Sequence, residues 1–190
     1  MFMAVSATKE WTVDMLEALP DDGNRYEILG GELYVTPSPA WRHQAVVWRL
    51  SILLDPYLEQ GRVGFGLSAP ADVIFDRRNV VEPDLFVAPL LNGRMPNTLE
   101  EAGSLLLVVE VLSPSTRRAD RTKKRLLYQS FRVPEYWIVD VDARLIERWR
   151  PDDRRPEILD ETIEWQPSPE AAPLRIDLTA FFARIHEDAR

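Results

Sequence analysis

The 190-residue sequence contains no cysteine. A chain without cysteine forms neither a disulfide framework nor a thiolate metal site, which excludes functions that depend on either. Long apolar runs are absent as well: the longest, at residues 105–109, is far shorter than the roughly 20 residues that span a bilayer. The first residues also lack a basic segment followed by an apolar one. We therefore predict no signal peptide, no membrane partner and a cytoplasmic location.

Basic charge is scarce, because 23 Lys and Arg residues face 31 Asp and Glu residues and give a net charge of −8. This balance argues against a general affinity for nucleic acid. The exception is the segment at residues 117–132, which contains seven basic residues and one acidic residue. Such a patch on an acidic body can meet phosphates, and its candidate phosphate contacts are Arg117, Arg118 and Arg121. The alternative is a solvated helix face.

The length and the 45% hydrophobic content are those of one domain with a sizeable core, so we predict a single domain over residues 1–190. Apolar periodicity and turn signals predict elements along the chain. They are a helix at 12–19, a hairpin around Gly30 and Gly31, a helix at 41–60 that Pro56 kinks or ends, strands at 71–75, 80–87 and 105–112, a helix at 119–131, strands at 136–139, 144–150 and 157–165, and a helix at 178–185. This order predicts the α/β class, a mixed β-sheet flanked by helices.

The aromatic residues are most simply assigned to the core of such a domain. Trp41 and Trp48 lie in the predicted helix at 41–60, and Tyr136 and Trp137 lie in a predicted buried strand. Large aromatic side chains are highly buried on average. We therefore predict that all four are core residues.

Glu110 is the most informative single residue, because it interrupts the apolar strand Leu-Val-Val-Glu-Val-Leu. A carboxylate in a strand covered on both faces needs a cation, a basic side chain or a proton from a raised pKa. Asp84 repeats the pattern in Val-Val-Glu-Pro-Asp-Leu-Phe-Val. Two such carboxylates in one sheet are expected to be compensated by the same group. A metal ion is one candidate, because hard oxygen ligands suit Mg²⁺. The alternative is that Glu110 pairs with a buried Arg or Lys.

Six short motifs carry a family resemblance. They are Arg25-Tyr26-Glu27-Ile28-Leu29 before Gly-Glu-Leu, Arg42-His43-Gln44 at a helix start, Glu82-Pro83-Asp84-Leu85, Val108-Val109-Glu110-Val111-Leu112-Ser113-Pro114-Ser115-Thr116, Asp120 with Lys124 and Tyr128, and Val133-Pro134-Glu135-Tyr136-Trp137-Ile138-Val139-Asp140. In this order they resemble the restriction-endonuclease-like Uma2 family of the PD-(D/E)XK nuclease superfamily. The resemblance runs from Thr12 to Trp149.

The resemblance implies a restriction-endonuclease-like fold and a metal site. In that superfamily an Asp and a Glu hold Mg²⁺ and a Lys supports the attacking water, so Asp84 and Glu110 would be the metal ligands, with Mn²⁺ as the alternative ion. The superfamily lysine belongs two residues after the Glu, where this chain has Leu112. The family pattern supplies it from the next helix as Lys124, on one face with Asp120. The alternative for these last two residues is a surface ion pair.

Two further residues are candidates by the same resemblance. Glu27 matches an acidic residue that the fold often adds from its N-terminal part, and it would be a third catalytic carboxylate; the alternative is an exposed strand carboxylate. His43, at a helix start, would contact a phosphate of the nucleic acid or orient a water, with capping or packing as the alternative.

The function expected from these residues is an endonuclease that hydrolyses phosphodiesters in DNA with Mg²⁺. No recognition domain is evident, so specificity would come from a partner or a homodimer, or would be absent. Two alternatives stay open. One is a non-catalytic nucleic-acid-binding or protein-interaction module that keeps the fold, which the displaced lysine and the acidic net charge favour. The other is a structural homo-oligomer whose ion site only stabilises it.

Overall fold

The computed structural model describes residues 3–5, 10–16, 18–20 and 22–186. Among these residues, no helix is both long enough and apolar enough to cross a membrane. The architecture is mixed α/β, with sheets flanked by helices, as the sequence predicts. The single domain and the cytoplasmic location stay predictions.

The main sheet has six strands in the order β11-β10-β9-β8-β7-β4. All neighbours are antiparallel except β8 and β9, which are parallel, so the sheet is mixed. Its strands are β4 (Gly64–Ser68), β7 (Leu85–Pro89), β8 (Leu107–Val111), β9 (Tyr136–Asp140), β10 (Leu145–Trp149) and β11 (Glu157–Leu159).

The second sheet has five strands in the order β1-β3-β2-β6-β5, and two further strands form a separate antiparallel pair. The strands of the second sheet are β1 (Met3–Val5), β2 (Arg25–Leu29), β3 (Glu32–Thr36), β5 (Val73–Asp76) and β6 (Asn79–Val81), and the pair is β12 (Thr162–Trp165) with β13 (Leu174–Asp177). The predicted hairpin around Gly30 and Gly31 is confirmed, and both glycines have the positive φ that this tight turn requires.

Six α-helices accompany the sheets in the described part of the chain. They are α1 (Val13–Leu16), α2 (Trp41–Gly61), α3 (Leu99–Ala102), α4 (Arg117–Ala119), α5 (Arg125–Ser130) and α6 (Leu178–His186), and a π-helical segment, Asp120–Lys124, joins α4 to α5. Pro56 does not end α2, which runs five residues beyond it. The predicted helix at 12–19 is shorter than expected, because α1 is described over Val13–Leu16 and residues 18 and 19 are not helical.

Strand β8 is buried on both faces, as its apolar sequence predicts. Leu107, Val109 and Val111 pack into a core together with α2 and α6. Val108 belongs to a second core on the other face, which includes Tyr128 of α5. Because side chains alternate along a strand, Glu110 lies on the face of Val108, towards the helical segment that carries Tyr128.

Two predicted strands each divide into two. The run at 80–87 breaks at Pro83, which has no N–H for a ladder, so β6 joins the second sheet and β7 joins the main sheet. The run at 157–165 also divides, into β11 and β12, which belong to different sheets. The break at Pro83 places Asp84 at the junction of the two large sheets.

The prediction that all four aromatic residues are core residues is wrong for two of them. Tyr136 and Trp137 are buried, but Trp41 is 94% exposed and Trp48 is 68% exposed. Both lie on α2, whose buried residues include Val46, Leu50, Leu54 and Leu58 on its opposite side. Helix α2 therefore has a second apolar face, which the rest of the described chain leaves uncovered.

Candidate active site

Asp84, directly before β7, stands across from Glu110 of the adjacent antiparallel strand β8. Leu85 of β7 pairs with Val109 of β8, so the next residues outward in this register are Asp84 and Glu110. Directly opposite residues on one face are about 4.5–5.5 Å apart at Cβ. The backbone N–H of Val111 donates a hydrogen bond of 2.8 Å to Asp84 Oδ2, which ties the two strands together here. The fold thus brings together the two carboxylates that the sequence singled out.

Asp84 is buried, and two cationic or hydrogen-bonding side chains hold it. Arg25 Nη1 lies 2.8 Å from Asp84 Oδ1, and His43 Nε2 lies 3.0 Å from Asp84 Oδ2. Burial alone raises the pKa of Asp84, but His43 and Arg25 outweigh it and lower the pKa to about 2. Asp84 is therefore a carboxylate at neutral pH.

Glu110 contacts a different pair of side chains. Its Oε1 accepts hydrogen bonds from Lys124 Nζ at 2.9 Å and from the hydroxyl of Tyr128 at 2.9 Å. Burial raises the pKa of Glu110 well above its usual value, although the charge of Lys124 opposes this rise. The alternative that the sequence left open, a buried basic partner for Glu110, is present in the structure.

Glu27 belongs to the same cluster. Its Oε1 lies 2.8 Å from Lys124 Nζ and accepts the backbone N–H of Glu82 at 2.9 Å. Its Oε2 is buried and has no hydrogen-bond partner among the described residues. The alternative of an exposed strand carboxylate is wrong, because Glu27 is almost fully buried. Lys124 is thus clamped between Glu27 and Glu110.

The π-helical segment carries two of the site's residues, Asp120 and Lys124, at its first and last positions. Asp120 Oδ1 lies 3.9 Å from Lys124 Nζ, and both side chains are buried, so they are not a surface ion pair. Burial raises the pKa of Asp120 to about 7, although Lys124 lowers it. Short π-helical turns inside α-helices are frequent at functional sites, and this one turns both residues into the protein.

The two neighbouring lysines point in different directions. Lys124 is fully buried, and although burial lowers its pKa, the carboxylates of Glu110, Glu27 and Asp120 raise it overall. Lys124 therefore stays protonated at neutral pH. Lys123 is about half exposed and pairs with Glu32 at 2.7 Å and with the Tyr34 hydroxyl.

Leu112, at the position where the resemblance expects the superfamily lysine, is partly buried against the core on the α5 face of the main sheet. The lysine that reaches Glu110 comes from the helical segment after β8 instead of from β8 itself. Leu112 thus takes a packing position.

Arg25 and Glu82 are site residues that the sequence reasoning missed. Arg25 bridges the two sides of the cluster, because its Nε also lies 2.8 Å from Glu82 Oε1. The strand pattern did indicate that Arg25 accompanies Glu27, because the two residues are two apart on β2 and therefore lie on one face of that strand. Glu82 precedes the proline that places Asp84.

A cleft of about 190 Å³ opens onto this cluster, and Arg25 and Glu27 are among the residues that line it. Two loops complete its walls, residues 37–40 before α2 and residues 113–116 after β8. The second loop is held by its own hydrogen bonds, since the hydroxyl of Ser113 contacts Ser115 at 2.9 Å and Thr116 at 3.0 Å. His43, Asp84, Glu110 and Lys124 all contribute to the lining, so the predicted site residues converge on one cleft.

The three arginines that the sequence predicted as phosphate contacts lie in two different environments. Arg117 and Arg118 are exposed at the start of α4, directly after the loop that lines the cleft. Arg121 instead forms ion pairs with Asp140 at 3.0 Å and with Glu147 at 2.6 Å. Arg121 thus ties the π-helical segment to β9 and β10, while Arg117 and Arg118 flank the cleft.

The donor set decides whether the cleft suits a divalent metal ion. Asp84 and Glu110 offer hard carboxylate oxygens, and Glu27 Oε2 is a buried acceptor without a partner in the described residues. Within the same described part, no group of three or more His, Cys, Asp or Glu is arranged to hold a metal ion. Mg²⁺ commonly takes only one or two protein carboxylates and completes its shell with water and substrate phosphate. The residues present fit a site of that kind.

Comparison with solved structures identifies the fold. The fold matches the crystal structure, at 1.96 Å resolution, of a "putative nuclease belonging to DUF820" from Anabaena variabilis, with a TM-score of 0.75. The match covers 92% of this chain and 98% of that chain at 20% sequence identity. The molecule therefore has a nuclease-like fold. No curated protein matches the chain.

The family follows from the sequence of the whole domain. Residues 13–180 match the model of the Uma2 family, which is described as "Putative restriction endonuclease". This match covers most of the 190 residues, so the chain belongs to the Uma2 family. The resemblance that the six motifs indicated is confirmed, and it extends beyond Trp149 to the closing helix.

Proposed function

We propose that this protein is a metal-dependent phosphodiester hydrolase that cleaves DNA. The observation that carries the proposal is the convergence of Asp84, Glu110 and the buried Lys124 on one cleft. Structural ion pairs do not require a carboxylate directly before β7, another on the neighbouring strand β8, and a cation from the helical segment that follows β8. Restriction-endonuclease-like families are generally metal dependent, and this family membership supports the same chemistry.

Asp84 and Glu110 would hold the ion, Mg²⁺ in the first place and Mn²⁺ as the alternative. When bound, such an ion supplies Lewis-acid polarisation of the phosphate and lowers the pKa of a bound water. Arg25 and His43 keep Asp84 ionised and in place. Tyr128 orients Glu110 through its 2.9 Å hydrogen bond.

Lys124 acts in this proposal as a charge, because its raised pKa keeps it protonated. A protonated lysine cannot take a proton from the attacking water, but it can position that water or stabilise charge that develops on the phosphate. Glu27 positions Lys124 through the 2.8 Å ion pair. The catalytic set is thus Asp84, Glu110 and Lys124, with Glu27 as a positioning residue.

The substrate would be held mainly through its backbone. Arg117 and Arg118 flank the cleft and are exposed, and contacts of such residues to phosphates are independent of sequence. We propose DNA as the substrate on the strength of the family description, which is that of a restriction endonuclease. His43, which contacts Asp84, is then a positioning residue and not a phosphate contact.

A second candidate function has its own supporting observation. Asp84 is already paired with Arg25, and Glu110 is already paired with Lys124. Two carboxylates that already have cationic partners suit a non-catalytic module that keeps the fold and binds nucleic acid or protein. The two candidates are distinguished by catalysis, because only the first one cleaves its nucleic acid.

The deciding experiment is a cleavage assay on duplex DNA, single-stranded DNA and RNA with Mg²⁺ or Mn²⁺. Asp84→Ala is compared with the wild type, and Asp152→Ala is the matched control, because Asp152 is an exposed surface carboxylate paired with Arg132. The proposal expects metal-dependent cleavage of DNA by the wild type and the control, and none by Asp84→Ala. Wild-type protein that binds nucleic acid but cleaves none of these substrates would establish the second candidate instead.

A further inference from the structure

Trp41 is an exposed aromatic residue at the rim of the cleft. It is the first residue of α2, and its neighbours in the chain, Ala40 before it and His43 two residues after it, both line the cleft. Its side chain is 94% exposed, although tryptophan is highly buried on average. The face of its indole ring is therefore available to a molecule that enters the cleft.

Cations stand beside this ring and after the other loop that walls the cleft. Arg42 follows Trp41 on α2 and is exposed. Thr116, the last lining residue of the loop at 113–116, is followed directly by the exposed Arg117 and Arg118. None of these three arginines forms an ion pair within the described residues. Aromatic rings that stack on bases, together with cations that follow the backbone, are the combination that binds unpaired nucleic-acid strands.

The shape of the cleft also favours an unpaired strand. Its volume is about 190 Å³, and Asp84, Glu110 and Lys124 line it although their side chains are almost fully buried. A DNA duplex is stiff over about 150 base pairs and keeps the faces of its bases stacked on one another. An unpaired strand bends over a few nucleotides, so its phosphate can enter the cleft while a neighbouring base turns its face outward.

We propose that the cleft takes an unpaired DNA strand, with a base near the scissile phosphate stacked on the indole of Trp41 and the backbone held by Arg117 and Arg118. The inference rests on the proposed function, because it takes nucleic acid as the substrate, and it adds the strandedness of that substrate. Duplex DNA would contact the arginines alone, since its bases are not free to stack.

The first test measures the affinity for a labelled single strand and for the duplex of the same sequence. Fluorescence anisotropy is recorded in EDTA, which prevents metal-dependent cleavage, and at one low salt concentration. Trp41→Ala should weaken binding of the single strand by roughly tenfold, as the loss of one stacked base does, and should leave duplex binding unchanged. Trp41→Phe should keep most of the affinity, because a phenyl ring also stacks on bases.

Trp48→Ala is the matched control. Trp48 lies on the same side of α2 and is also exposed, but it is seven residues, or roughly 10 Å, farther along the helix axis from the cleft. The control should bind the single strand as the wild type does. The proposal is overturned if Trp41→Ala keeps the wild-type affinity, as it would if Trp41 contacted a protein partner, or if the two variants lose affinity equally.

The second test separates stacking from a structural effect of the substitution. A strand of the same length in which abasic sugars replace the bases keeps every phosphate but offers nothing to stack on. The wild type should bind this strand as weakly as Trp41→Ala does, and Trp41→Ala should lose little further affinity on it. If Trp41→Ala weakens binding of the abasic strand as much as that of the normal strand, Trp41 does not stack on a base.

These measurements are independent of turnover, so the two proposals can fail separately. Binding of single strands that depends on Trp41, without cleavage in Mg²⁺ or Mn²⁺, would overturn the hydrolase and keep the stacking site. Metal-dependent cleavage that Trp41→Ala leaves unchanged on single strands, with unchanged affinity in EDTA, would keep the hydrolase and overturn the stacking site.

Discussion

Lys124 Nζ and Glu110 Oε1 lie 2.9 Å apart in a region from which water is almost excluded. Removing a charge from water costs several kcal/mol, and only good geometry with further partners recovers this cost. The same ammonium contacts Glu27 at 2.8 Å, so one cation is shared by two buried carboxylates. Acidic side chains outnumber basic ones in this cluster, so oxygen ligands are available there for a divalent cation.

Lys124→Ala should destabilise the protein, because Lys124 is the buried cation of the cluster. The substitution leaves Glu27 and Glu110 buried without their cation, and breaking a buried pair costs about 3–5 kcal/mol. Urea unfolding at neutral pH measures the loss. Lys123→Ala removes a half-exposed ion pair with Glu32 and should cost under about 1 kcal/mol. Equal losses in the two variants would show that the Lys124 cluster contributes no more than a surface pair.

Substitution of Lys124 and substitution of Lys123 should also have different effects on the cleavage rate. Lys124→Ala should abolish cleavage, because the proposed role of Lys124 is to stabilise charge in the transition state. Lys123→Ala should keep most of the wild-type rate, since its ammonium contacts Glu32 and Tyr34. The assay is run at a temperature where both variants are folded, as judged by circular dichroism. Cleavage by folded Lys124→Ala would remove Lys124 from the catalytic set.

Metal binding should raise the melting temperature, because a ligand that binds only the folded state stabilises that state by mass action. Wild-type protein titrated with Mg²⁺ or Mn²⁺ should show an upward shift, and Glu110→Gln should show a much smaller one. Asp152→Ala, at an exposed carboxylate, should shift as the wild type does. A full shift in Glu110→Gln would exclude Glu110 as a ligand.

Asp120 should make stability depend on pH. Burial raises its pKa in the folded state to about 7, from 3.8. Between these values the folded state binds the proton more often than the unfolded state, so stability falls as the pH rises through this window. Asp120→Asn removes the titrating group, so the variant should lose less stability between pH 5 and pH 8 than the wild type, by on the order of a few kcal/mol. Urea unfolding at the two pH values measures the difference, and parallel losses would contradict it.

The sequence was informative where one residue contradicted its neighbours. Glu110 in an apolar strand and Asp84 after Pro83 predicted a shared site, because buried carboxylates need compensation. Periodicity could not reveal Arg25 as a partner of Asp84, since that contact joins residues 59 positions apart. Nor could it reveal the exposed tryptophans of α2, because an apolar residue on a helix looks the same in sequence whether it faces its own core or a partner.

Any binding of nucleic acid should depend on Arg117 and Arg118 and not on Arg121. Each phosphate contact on duplex DNA contributes a slope of about −0.9 to the dependence of log affinity on log salt, because counterions are released. Arg117→Ala with Arg118→Ala should therefore weaken binding and flatten the slope by up to about 1.8. Arg121→Ala should leave the slope unchanged and lower stability instead, because Arg121 is engaged with Asp140 and Glu147. Fluorescence anisotropy of a labelled duplex between low and physiological salt measures both slopes. If Arg121→Ala flattens the salt slope and the double variant leaves it unchanged, the phosphates lie on the other side of the π-helical segment.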